Sequence, residues 1–222
     1  MNTQALPETA ANAKSSAGAS GSDKPSRPRF KAWLFKPLVF LICLIPIVPA
    51  VLGVASGSGA YVDPIEGLLL HSGEWGLRFF LITLCVTPAQ ILLKSAAIGK
   101  LRRMLGLFTF FYATVHLAVW VVLDQGLNLS DALSAIVEKK FITVGIVVWL
   151  GLLALALTSN RFSVRKLGKK WKGLHNSVYI LAVMAVVHYV WQVKASELWE
   201  PTVYLGVLAG LLVWRFARVV KR

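Results

Sequence analysis

Four histidines, His71, His116, His175 and His188, are the side chains whose type and spacing point most directly to chemistry. His116 lies in FFYATVHLAVW and His188 in AVMAVVHYVW, each roughly 13 residues into an apolar run that starts from a basic segment, hence ~20 Å from that end at helical rise. The two imidazoles therefore share a depth. Ionisable groups inside a membrane are functional candidates by default, and imidazole is the commonest metal-binding side chain. No Asp or Glu lies near them to form a proton relay, so the pair reads as ligands of a shared metal. Imidazoles from facing helices can supply both axial ligands of a haem iron, and an apolar macrocycle suits a helix bundle. Zinc fits worse, because it needs three or four ligands and the carboxylates are missing at that depth. The plain alternative for either histidine alone is a hydrogen-bonded core residue.

His175 begins the same run as His188, thirteen residues and ~20 Å earlier. Two stacked haems would suit that separation, yet positions thirteen apart on an ideal helix are about 140° out of line, and the residue thirteen before His116 is Arg103. No second histidine pair is written in the chain. Three readings stay open for His175: a haem ligand with another partner, the lining of a flavin or quinone pocket, or a helix cap among basic neighbours. His71 and Arg78 are seven apart, on one helical face, with Glu74 between them. Either Arg78 forms an i, i+4 ion pair with Glu74, or it meets a haem propionate with His71 beside it as a second contact or alternative ligand. The aromatic residues Phe108, Phe110, Phe111, Tyr112 and Trp120 read mainly as lipid, core and interfacial contacts, and Gly106, Gly145, Gly151 and Gly206 as points of close packing.

The elements that must hold these residues follow from composition. Of 222 residues, 56% are apolar and only 15% charged, where a soluble domain carries about 25%. The apolar residues gather in runs near 37–55, 72–93, 104–123, 141–158, 174–192 and 201–217, each about long enough to cross a ~30 Å hydrocarbon core. The expected fold is an all-α membrane protein, a bundle of six transmembrane helices over residues 36–220. Pro46, Pro49 and Pro88 fall inside spans and predict kinks. Residues 1–35, rich in Ala, Ser, Gly, Lys and Pro, read as a disordered basic tail, and the first run as a span and not a cleaved leader.

Orientation comes from the 24 basic residues: all but Arg78, Lys139, Lys140 and Lys194 lie in the N-terminal segment up to Lys36, in 94–103 (KSAAIGKLRR), in 161–172 (RFSVRKLGKKWK) or in 215–222. Lys- and Arg-rich short loops stay in the cytoplasm, so both termini are expected there, with an acidic opposite face carrying Asp63, Glu66, Asp124, Asp131, Glu138, Glu197 and Glu200. A formal charge of +14 thus reports topology and contact with membrane lipid, not nucleic acid. Cys43 and Cys85, both in apolar runs, leave neither a disulfide framework nor a cysteine metal site.

The segments HSGEWGLRFFLITLCVTP (71–88), RRMLGLFTFFYATVHL (102–117), FITVGIVVWLGLLALALTSN (141–160) and WKGLHNSVYILAVMAVVHY (171–189) resemble the haem-binding membrane subunits of the periplasmic protein-methionine-sulfoxide reductase system, within the ferric-reductase-like transmembrane domains. The resemblance spans about residues 36–220. It implies haem ligation by His116, His175 and His188, with haem b and FMN as cofactors. It also implies a multi-pass protein of the bacterial inner membrane. Electrons would come from the quinone pool or a cytoplasmic flavin reductase and pass to a soluble periplasmic molybdenum-cofactor (molybdopterin-dependent) methionine sulfoxide reductase that repairs oxidised proteins. Larger ferric and NADPH oxidases append a flavin and nicotinamide domain after the sixth helix. Here neither that domain nor a GxGxxG loop is expected, so an external donor is implied. Substrate reduction would then lie with the partner. A rival from another class is a small transporter in which His116, His188 and Arg78 line a polar path.

Overall fold

The structure, a computed structural model, describes residues 30–56, 63–193 and 199–220, so the expected tail lies mostly outside the described residues. Every regular element described is helical. The first apolar run forms α1 (Phe30–Leu44) and α2 (Ile47–Ser56), broken at Ile45 and Pro46, because neither Pro46 nor Pro49 has an N–H to continue the helical ladder. Asp63 caps α3 (Pro64–Leu92), its carboxylate accepting from the N–H groups of Ile65 and Glu66, and Pro64 occupies the first turn, where its missing N–H has no intrahelical role. That helix continues through Pro88.

A short α4 (Ala96–Gly99) leads to α5 (Arg102–Val119), which carries His116 and runs on as a π-helical turn over Trp120–Asp124. Asn128 caps α6 (Leu129–Glu138), a surface helix absent from the sequence expectation because it is too short to span. Helix α7 (Lys140–Leu157) is followed by α8 (Arg161–Leu167), and Gly168, at φ 51°, turns the chain into α9 (Lys169–Asn176). The chain passes through Ser177 into α10 (Val178–Gln192), and α11 (Trp199–Val220) closes the described chain.

Five stretches among the described residues are long and apolar enough to cross a membrane: Lys36–Gly53, Pro64–Leu92, Ala96–Asp124, Lys140–Leu157 and Lys169–Gln192. The sixth expected run falls in α11, whose 22 residues include Glu200, Arg215 and Arg218. Helix α3 is central: a third of its apolar window is buried (33%), against 11% for the first span. One core cluster joins α3 to α7, α10 and α11 through Leu77, Phe80, Val148, Leu152, Leu181, Val186 and Leu208. A second joins α3 to α1 and α5 through Cys43, Phe79, Phe108 and Tyr112, with the Tyr112 hydroxyl donating to the Cys43 carbonyl at 2.9 Å. Lipid gives helices no hydrophobic reason to associate, so contact depends on close packing, and Gly76 lets α3 approach the α5 backbone. The result is two helix pairs, α3 with α5 and α7 with α10, that face each other around the histidines.

Candidate functional site

His116 on α5 and His188 on α10 meet. Their ring centroids are 6.2 Å apart and the ring planes are 83° from parallel. Each Nδ1 lies against a backbone carbonyl of a neighbouring helix: His116 to Leu69 of α3 at 2.9 Å, His188 to Phe141 of α7 at 2.7 Å. A carbonyl only accepts, so both Nδ1 atoms must carry the proton and donate it, which leaves a lone pair on both Nε2 atoms. Metal-ligating histidines are held in this way, the second nitrogen donating to a carbonyl, carboxylate or water. The 6.2 Å between ring centres leaves room for one metal ion that both Nε2 atoms could hold.

Both rings line a cavity of about 270 Å³ whose walls are mostly apolar, including Leu77, Phe80, Val148 and Leu152. Its mouth carries Trp120, Asp124, Gln125 and Lys139, contributed by the π-helical turn and the start of α7, and lies at the acidic end of the bundle.

His175 sits elsewhere. It lines a second cavity of about 820 Å³ at the basic end, together with Arg102, Arg103, Arg161, Arg165, Lys172 and Arg215, and no carboxylate is among the lining residues. Its ring stacks on Trp171 with centroids 3.9 Å apart, and the Trp171 indole N–H is tied to the Thr158 carbonyl at 3.0 Å. His175 Nδ1 donates to the Trp171 carbonyl at 3.3 Å, longer than either bond of the facing pair. Ser159 Oγ is 3.4 Å from Nε2, but the hydroxyl proton goes to the Leu155 carbonyl at 2.7 Å. The Nε2 lone pair therefore faces the basic cavity without a strong donor. Among the described residues no other histidine stands opposite it and no group of three metal-ligating side chains forms.

The structure does not bring His71 and Arg78 to the histidine pair. His71 Nε2 donates to the Pro46 carbonyl at 2.7 Å, fastening α3 to the break between α1 and α2. Arg78 forms the i, i+4 ion pair with Glu74 at 2.8 Å and donates to the Tyr204 hydroxyl of α11 at 2.9 Å. Glu74 lines the smaller cavity and Arg78 does not, so the polar path of the transporter reading lacks one of its three members. Of the α5 aromatics, Trp120 reaches this cavity, while Phe108 and Tyr112 are buried in the second core and Phe111 is exposed.

Sequence reasoning missed the backbone partners. Leu69 and Phe141 each precede their histidine by 47 residues, an internal repeat of spacing visible in the sequence once the bonds are known. It also took Gly145 for a helix-packing residue, whereas Gly145 lies against the His188 ring; Gly151 does meet a packing neighbour, Leu181, and Gly206 has nothing within 4 Å.

Residues 72–186 match the family described as ferric reductase like transmembrane component. The chain is 41% identical over 207 residues to the protein-methionine-sulfoxide reductase heme-binding subunit MsrQ of Brucella anthropi, covering 91% of this chain and 89% of that protein. It is likewise 41% identical over 210 residues to the subunit of the same name from Brucella ovis, covering 93% and 92%.

Proposed function

This chain belongs to the ferric reductase-like transmembrane family, among the haem-binding subunits of protein-methionine-sulfoxide reductase, and on that premise we propose that it is a membrane electron conduit with haem b held by His116 and His188. The observation that carries the reading is the pair of rings 6.2 Å apart, each with Nδ1 committed to a carbonyl and Nε2 free. When bound, the haem supplies one-electron chemistry at iron. The chain's own residues do the rest. The two carbonyls fix the tautomer and make each Nε2 a better donor, and Leu77, Phe80, Val148 and Leu152 keep water from the pair.

FMN, the second cofactor, we assign to the basic cavity. In support, six cations with no carboxylate suit a phosphate, and the wall carries Trp171 stacked on His175 and Tyr179 beneath the Arg215 guanidinium, with the His175 Nε2 lone pair facing the cavity. His71 and Arg78 act as struts of the histidine-pair end, fastening α3 to α1–α2 and to α11.

The chain crosses a bacterial inner membrane six times with α11 as the last span and both termini cytoplasmic, a reading supported by the basic segments. Electrons enter at the basic end, from the quinone pool or a cytoplasmic flavin reductase, and leave at the acidic end to a periplasmic molybdenum-cofactor methionine sulfoxide reductase. Asp63, Glu66, Asp124, Asp131, Glu138 and Glu200 supply the acidic docking face, and Glu197 lies outside the described residues. Charge complementarity there mainly speeds encounter, so transfer slows as salt passes the ~10 Å screening regime near 0.1 M. The test is to reduce the haem chemically in membranes and add the purified periplasmic reductase with a methionine sulfoxide. Reoxidation that needs both additions supports the reading, and reoxidation indifferent to the reductase contradicts it.

A further inference from the structure

We propose that Gly73 and Gly145 are positioning residues: with the carbonyls of Leu69 and Phe141 they form two copies of one device that fixes how His116 and His188 face each other. This rests on the haem reading. A Cβ built on Gly73 would lie 2.9 Å from His116 Nδ1 and 3.0 Å from its Cε1, and one on Gly145 would lie 2.8 Å from His188 Cε1 and 3.1 Å from its Nδ1. Heavy atoms in ordinary contact sit at ~3.5–4.0 Å. Alanine at either place therefore displaces the ring by several tenths of an ångström, and the ring is not free to move, because its Nδ1 is bonded to the carbonyl four residues before that glycine.

The local geometry explains the pairing. In a helix the carbonyl of residue i accepts from the N–H of i+4, so the Leu69 carbonyl serves Gly73 and the Phe141 carbonyl serves Gly145. Each carbonyl has a second lone pair, and the imidazole takes it. Positions i and i+4 lie one above the other on the same face, so the carbonyl that receives the proton and the Cβ-free patch that admits the ring are neighbours. The same arrangement appears on α3 for α5 and on α7 for α10, with 47 residues between carbonyl and histidine in both. Other glycines in these helices do not share it: Gly151 would meet Leu181, and a Cβ on Gly106 would come no nearer than 3.7 Å to Thr83. Two glycines thus hold two rings 83° apart, where a flexible histidine would choose its own angle.

The test uses purified haem-loaded protein as wild type and as Gly73→Ala, Gly145→Ala and Gly106→Ala, read by low-temperature electron paramagnetic resonance of the ferric form and by the rate of haem loss to an excess of apomyoglobin. Near-perpendicular axial imidazoles give a highly anisotropic low-spin signal dominated by one large g value, and this is expected of the wild type. Gly73→Ala and Gly145→Ala are each expected to shift that g value and to speed haem loss about tenfold or more, the usual size of an outer-shell change, with Gly106→Ala as wild type. Unchanged g values and haem loss in both alanine variants would overturn the proposal. Should neither variant fold, the wild-type signal decides: the rhombic spectrum of parallel imidazoles overturns it, and the anisotropic one supports it. A protein with no low-spin ferric signal in any form would overturn the haem reading itself, a distinct outcome.

Discussion

The two histidine-lined cavities sit at opposite ends of one bundle and are built on opposite principles. At the acidic end two imidazoles face across a small, mostly apolar cavity that Glu74 and Asp124 also line, against the sequence expectation of no carboxylate nearby. The pair is fixed by a carbonyl on each Nδ1, a glycine beneath each ring, and α3 and α7 behind them. At the basic end one imidazole borders a cavity about three times larger, held by a stacked tryptophan and a longer hydrogen bond, among six cations. Rigid pairing suits a metal that changes charge without changing ligands. A roomy cationic wall suits an anionic molecule recognised by its charge. Histidine alone distinguishes neither case; its second nitrogen and its neighbours do.

That contrast breaks most completely at the ligands. His116→Ala and His188→Ala should each abolish six-coordinate low-spin haem absorbance while the protein still inserts, since losing either axial group opens the iron, and retention of that spectrum in either variant would rule out the pair. His175→Ala should instead lose the second cofactor or electron entry with the low-spin haem intact, as read by paired haem and flavin assays. Next in size are the cations: Arg102→Ala and Arg165→Ala should each weaken FMN about tenfold, the scale of one lost charge-assisted hydrogen bond, and leave the haem spectrum alone. A smaller effect, on the fold and not the cofactors, is expected of Gly151→Ala. Its Cβ would fall 2.5 Å from Leu181 Cδ2, and overpacking of that kind destabilises by about 1–3 kcal/mol, visible as a lower melting temperature with unaltered haem bands. Smallest of all, Arg78→Gln removes a partly exposed ion pair with Glu74 and loosens the strut to Tyr204, and should cost about 1 kcal/mol with no effect on haem retention.

How much of this could be read from the sequence differs by feature for physical reasons. Four of the spans were legible because crossing hydrocarbon demands long apolar runs: those expected near 72–93 and 141–158 fall almost wholly on α3 and α7, that near 104–123 on α5 and its π-helical turn, and that near 174–192 on the end of α9 and α10. The matching depth of His116 and His188 was legible from rise per residue, but rise does not say which helix faces turn toward each other, and their contact is seen only in the structure. Helix α6 was not, because a ten-residue surface helix obeys no span rule. The carbonyls of Leu69 and Phe141 were invisible because backbone acceptors have no side-chain signature, and Gly73 and Gly145 acquire meaning only when the facing helix is known. Arg78 shows the converse: its neighbours in sequence, Glu74 above all, decided its partner, where a haem propionate was the alternative.

The most direct measurement on the central claim is the absorption spectrum of the purified wild-type protein, oxidised and then reduced with dithionite. A Soret band that shifts on reduction is expected, with the sharp visible bands of a low-spin haem carrying two imidazoles. A colourless protein, or a five-coordinate high-spin spectrum in both states, would contradict it.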